Sequence, residues 1–309
     1  MLQSQSSDGY LNSTGFAPRQ ESSVTSFSAH CPDPPETSDR RSPLGRPSIE
    51  RWQLANGLRV VYQFLPHNPV ATMDVWTGAG AVVEPLPWMG TAHFLEHLIF
   101  KGTENLPPGV FDRLVECCGG VTNAATSHDY ARYFITSPID QAPEVLPYLG
   151  ELLCGAAIPD EEFDRERNVV FEEIRQSADS PDWLGYQVLL ELAYGDQAYG
   201  RPVLGTLEAL SDRTPDDLRR FHAHHYQPEN LCVAIAGGLE PDAVHALLDQ
   251  AFGSFKSAQA CPQAEPAPVV LPTTVRWENL RLPYVEQSRL MMAWTLPAHL
   301  PVAHVYALD

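Results

Sequence analysis

Positive charge is scarce in this chain. Its 309 residues carry 20 Lys and Arg against 39 Asp and Glu, a formal net charge of −19. So acidic a balance argues against nucleic acid or an anionic membrane as partner, because both call for clustered basic side chains. Long apolar runs are also missing. No stretch reaches the roughly 18 consecutive apolar residues of a membrane-spanning helix. The first residues lack the charged-then-apolar layout of a secretory signal, and Asp8, Glu21, Asp33, Glu36 and Asp39 interrupt any transit-peptide character. The expected location is a reducing cytoplasm. Six cysteines, at positions 31, 117, 118, 154, 232 and 261, form no C-x-x-C pair, which leaves no redox or zinc-knuckle motif to read. Cys117 and Cys118 are adjacent, a poor geometry for pairing with each other, and are read as small packed hydrophobes.

What is present falls into three parts. Residues 1–48 are rich in Ser and Pro with few large apolar side chains, and are expected to form a disordered tail. Residues 49–260 alternate strand and helix signals. Asn56-Gly57 lies between two short apolar runs, a strong hairpin signal, and 71–80 continues as a strand. Segments 121–126 and 129–137 alternate like paired strands, and 231–236 reads as another. Helices are expected at 91–101, 108–118, 142–155, 160–178, 182–193, from Thr214 onward, and at 240–253. Hairpins mixed with grouped helices indicate an α+β fold, a mixed, largely antiparallel sheet with helices packed on it. Residues 261–309 open with the Pro-rich connector PQAEPAPVVLPTT. Two strand-like runs follow, 275–282 and 288–296, the expected beginning of a second, truncated α+β unit.

One helix is chemically odd. TAHFLEHLIFKG, residues 91–102, sets His93, Glu96 and His97 among Ala92, Phe94, Leu95, Leu98, Ile99 and Phe100. Burying a polar group without a partner costs about 2–7 kcal/mol, so these three need one. Each helical residue advances by about 100°, which puts His97 at about +40° and Glu96 at about −60° from His93. All three share one arc. Imidazoles four residues apart can chelate a single metal ion, and a carboxylate beside them can handle a water proton. The pattern is H-x-x-E-H, the inverzincin motif, and zinc suits its nitrogen and oxygen donors.

A zinc site that leaves one position open for chemistry takes three protein ligands. In the helix at 160–178 an apolar stripe is read through Phe163, Val169, Val170 and Ile174. Measured from Phe163, Glu166 falls at about −60° and Glu173 at about −80°, beside that stripe, while Glu172 falls at about 180°, on the solvent side. Helical phase therefore nominates Glu173 as the third ligand and Glu166, two turns earlier, as its neighbour.

HFLEH followed by FEEIRQSADSP, with 75 residues between His97 and Glu173, resembles the insulinase, pitrilysin and mitochondrial processing peptidase family. ANGLRVV, GTAHFLEHLIFKGT, GGVTNAATSHDYARYF and YQPENLCVAIAGG extend the resemblance over about residues 50–255. It implies a zinc metalloendopeptidase unit at 49–260, whose last part, about 211–260, resembles the start of the family's C-terminal-type domain. His93, His97 and Glu173 would bind one Zn2+, and Glu96 would be the general base. Glu166 would orient a ligand or the helix without touching the metal. Val121–Thr126 would be the edge strand on which an extended peptide or unfolded segment lies, with Asn123 and Ala124 as contacts. Such proteins close two or more units over the substrate, the second supplying an Arg and a Tyr. Nothing here matches that pair, so a partner chain supplying the missing half is a possible requirement. A non-catalytic or partner-dependent peptide-binding subunit is the alternative reading. His222, His224 and His225 fall at a helix end, where histidine is favoured without any metal.

Overall fold

The computed structural model of the chain describes residues 49–257 and 269–296. The tail read at 1–48 and most of the Pro-rich connector lie outside those residues. The Asn56-Gly57 hairpin forms as expected, joining β1 (Ile49–Gln53) to β2 (Arg59–Phe64). Gly57 has φ of +91°, a left-handed conformation that glycine adopts without strain. The Asn56 amide anchors the turn by donating to Phe252 O at 2.8 Å and Phe255 O at 2.9 Å.

Four further strands complete one sheet: β3 (Val70–Thr77), β4 (Val121–Thr126), β5 (Ala131–Pro138) and β6 (Leu231–Gly237). The order is β1-β2-β6-β3-β5-β4, with only β2 and β6 parallel. This is the mixed, largely antiparallel sheet expected. The period of two in β3, β5 and β6 buries one face: Met73, Val75, Tyr133, Ile135, Val233 and Ile235 are all 2% exposed or less. The register sets Val75 between Tyr133 and Val233. β4 ends the order, so among the described residues it has a strand partner on one side only.

The helices are α1 (Thr91–Ile99), α2 (Val110–Cys117), α3 (Ala142–Gly155), α4 (Asp160–Ala178), α5 (Pro181–Tyr194), α6 (Leu207–Ser211), α7 (Pro215–His225) and α8 (Pro241–Phe252). α3 packs on α8 and against β5 and β3, and its Val145, Leu149 and Leu153 are fully buried. α7 begins with a capping box: Thr214 and Asp217 each bond the other's backbone N–H. α1 lies between β4 and β5 on one side and α4 and α7 on the other. Phe94 of α1 meets Phe163 of α4 with ring centroids 4.9 Å apart. α1 is thus enclosed on several sides, which accounts for its apolar composition.

Three expectations need correction. The runs 275–282 and 288–296 form no strands, and Val275, Trp277 and Leu290 are 94%, 74% and 80% exposed. Strand preference expresses packing against neighbours on a sheet, and among the described residues no strand pairs with these runs. Val169 is 47% exposed rather than part of the apolar stripe of α4, because it lies about 120° from Phe163. Cys117 is exposed, although Cys118 packs against the core. The short helix α6 was not expected.

Candidate metal centre

α1 and α4 cross so that their polar residues meet. Nε2 of His93 and Nε2 of His97 each lie 3.5 Å from the same atom, Oε2 of Glu173. The donor atoms of His93, His97 and Glu173 all fall within 4.8 Å of one another. Hydrogen bonds from nitrogen to oxygen run at about 2.7–3.2 Å, so neither contact is a good one. Around a tetrahedral zinc with ligands at about 2.0–2.1 Å, neighbouring donor atoms stand about 3.3 Å apart. The two 3.5 Å histidine–glutamate spacings suit a shared metal ion better than direct hydrogen bonding. Two imidazoles and one carboxylate are also a donor set that zinc accepts with a fourth position left open. Nδ1 of His93 is buried and has no hydrogen-bond partner among the described residues.

Electrostatics follow the same layout. Burial pulls the His93 ring down to about 4, against the attraction of Glu173 and aided by repulsion from His97. Burial also opposes charge on His97, but its contact with Glu173 and the nearby carboxylates of Glu173, Glu96 and Glu166 outweigh it and raise its pKa. Glu173 is held below its ordinary value first by His97, then by the charge of His93, against burial. Its neighbour Glu172 points to solvent and pairs with Arg175.

Glu96 stands one turn from His93 on the same helix but outside the set of donors that converge on Glu173. Burial raises its carboxyl, and Thr126 at the end of β4 donates a hydrogen bond to Oε2. Glu166 is 6% exposed and lies behind His97, with Oε2 at 3.5 Å from Nδ1 and Oε1 at 2.8 Å from Lys101 Nζ. It therefore approaches the ring nitrogen opposite the one facing Glu173. Asn123 and Ala124 do not join this cluster. Asn123 is on the exposed side of β4, and its Oδ1 accepts from the N–H of Ala124 at 2.9 Å, while the Ala124 side chain packs inward.

Sequence reading passed over three contributors. Lys101 was legible in principle, since His93, His97 and Lys101 continue one helical face at steps of four. Thr126 and Glu84 were not, because their contacts depend on tertiary placement. Glu84 is 4% exposed, and its two carboxyl oxygens accept from the N–H groups of Gly90 at 2.9 Å and Ala92 at 2.6 Å. Gly90 is the N-cap of α1 and cannot supply a side chain of its own. Its φ is +88°, and a Cβ there would lie 2.6 Å from Leu204 O. Glu84 thus supplies the missing cap and fixes the start of the helix that carries both histidines.

That cap carries a pH signature. Burial pushes the Glu84 carboxyl up to about 8, against the two amides and Arg201. An unfolded glutamate titrates near about 4.3, so between about 4.3 and 8 the folded chain holds a proton that the unfolded chain has released. The contribution of this group to stability is full below that window and is lost as pH rises through it. The urea midpoint of wild type relative to Glu84→Gln is expected to fall between about pH 5 and pH 8.5. A difference constant over that range counts against a buried, proton-retaining Glu84.

Comparison with known proteins identifies the family. Residues 59–207 match the family model described as Insulinase (Peptidase family M16), and 212–309 match the one described as Peptidase M16 inactive domain. A zinc protease of Streptomyces coelicolor is 34% identical over 220 residues, 70% of this chain and 48% of that protein. A zinc protease of Helicobacter pylori is 36% identical over 213 residues, 68% of this chain and 48% of that protein. The crystal structure of a protease from Helicobacter pylori superposes with a TM-score of 0.69 at 34% identity, covering 74% of this chain and 55% of that one. The chain spans about half the length of the curated relatives it matches. With both family models matching and relatives 34–36% identical over about 70% of the chain, the chain belongs to the insulinase family of peptidases, M16.

Proposed function

We propose that this chain is a zinc-dependent metalloendopeptidase acting on extended peptides or unfolded polypeptide segments. The observation that carries the reading is the convergence of both histidine Nε2 atoms on Glu173 Oε2, with Glu96 alongside on the same helix. His93, His97 and Glu173 would hold the metal. When bound, zinc supplies a Lewis acid that polarises the scissile carbonyl and lowers the pKa of a water it holds to about 7. Glu96 accepts the proton of the attacking water and returns it to the departing amine, a task suited to a carboxyl whose pKa burial has raised. Glu166 steadies the His97 ring from behind, with Lys101 balancing its charge. The peptide would add to the open side of β4, with the backbone near Asn123 and Ala124 in contact. Displacing the Asn123 side chain from the Ala124 amide would free that N–H for a peptide carbonyl.

The test is metal analysis of the purified chain beside cleavage of a quenched fluorogenic peptide. One zinc per chain is expected, with cleavage abolished by a chelator and restored by added zinc. A chain that binds no zinc would defeat the site assignment. Zinc without cleavage would favour the second reading, a peptide-binding or partner-dependent subunit. The observation behind that reading is that residues 212–309 match the family model described as Peptidase M16 inactive domain.

A further inference from the structure

We propose that Thr126 is a positioning residue for Glu96, so that the edge strand β4 sets the geometry of the proton-transfer group. This rests on the reading of Glu96 as the proton carrier. Thr126 is the last residue of β4 and pairs with Ala131 of β5, and the turn beyond it is closed by Ser127 N–H donating to Tyr130 O at 2.8 Å. The alternation of β4 exposes Val121, Asn123 and Ala125 and turns Thr122, Ala124 and Thr126 inward. Thr126 then donates its hydroxyl proton to Glu96 Oε2. Among the described residues no other hydrogen bond reaches that carboxyl.

The physical consequence is orientation. The terminal torsion of a glutamate is broad and roughly two-fold, so an unheld carboxyl swivels. A threonine in a strand has a stiff χ1, so its hydroxyl direction follows from the backbone of β4. Holding Oε2 leaves Oε1 as the oxygen free to take and return a proton, at an angle set by the strand. β4 is also the strand proposed to receive the peptide. Substrate docking and base alignment therefore act on one six-residue element.

Thr126→Val keeps the branched shape and removes the donor, and Thr126→Ser keeps the donor. In the zinc-loaded chain Thr126→Val is expected to lower kcat by about 10-fold, the scale of losing a hydrogen bond to a charged group. KM and zinc content should stay within about 2-fold, and Thr126→Ser should recover kcat to within about 3-fold. An unchanged kcat, a loss that serine does not restore, or a loss carried by KM or by zinc would overturn the proposal. A second measurement is independent of turnover. In thermal unfolding, the Tm change of Thr126→Val with Glu96→Ala should differ from the sum of the single changes by about 2 °C or more. Additive changes would overturn the proposal even where cleavage behaves as expected. Zinc-loaded wild type that cleaves nothing would instead sink the reading of Glu96, and the thermal comparison would still decide the contact.

Discussion

Glu96→Gln is expected to lower kcat for peptide cleavage by about 10²–10⁴-fold while leaving bound zinc at the wild-type level. The two halves of that result come from different parts of the geometry. Glu96 is absent from the group of donor atoms that gather within 4.8 Å, so its loss takes no ligand from the proposed metal. Glutamine matches glutamate in size, and its amide oxygen can still accept from Thr126, so α1 and β4 keep their contact. What disappears is the ability to accept and return a proton. Zinc analysis and steady-state kinetics on the same preparation check both halves. Activity within about 3-fold of wild type would remove Glu96 from the mechanism. Loss of zinc together with activity would mean that the residue acts through the metal site and not beside it.

How much of this was legible in the sequence depends on the range of the interaction. His93, Glu96 and His97 lie within five residues, and a helix turns that spacing into a shared face without help from the rest of the fold. The distinction between Glu172 and Glu173 needs only the phase of α4, and the structure turns the first to solvent and the second toward α1. Phase fails once it is stretched. Val169 was grouped with the apolar stripe although it lies well outside the arc, and it is half exposed. Contacts that depend on how elements meet were invisible. Thr126 reaches Glu96 across a gap of 30 residues, and Glu84 caps a helix that begins seven residues later, after one short 3-10 turn at Leu86–Trp88. Nothing in residue type separates Thr126 from Thr122, which faces the same way and donates to Phe134 O instead. The runs 275–282 and 288–296 show the same limit from the other side. Their composition favours strands, but a strand needs a neighbour to pair with, and the described residues provide none.

Glu173→Gln is expected to produce the largest loss of zinc affinity of any single change in α4, more than about 100-fold, against about 10–100-fold at most for Glu166→Gln. Glu172→Gln should change nothing measurable. The ranking follows from position, since all three are glutamates on one helix. Oε2 of Glu173 is the point on which both imidazoles converge, so the substitution replaces a carboxylate of the proposed ligand set by a weaker, neutral amide and removes the negative charge that would offset the metal's own. Glu166 meets only the far nitrogen of His97 and is already balanced by Lys101, so its loss loosens the ring without emptying a coordination position. Glu172 pairs with Arg175 on the solvent side. Competition with a chromophoric chelator at fixed pH reads all three variants without reference to catalysis. Equal losses in Glu172→Gln and Glu173→Gln would show a general charge effect of this acidic chain and defeat the assignment. A larger loss in Glu166→Gln than in Glu173→Gln would exchange the roles of the two glutamates that face α1. The adjacent pair is thus its own control, because the two side chains share a helix, a charge and nearly the same backbone position, and differ only in the direction they face.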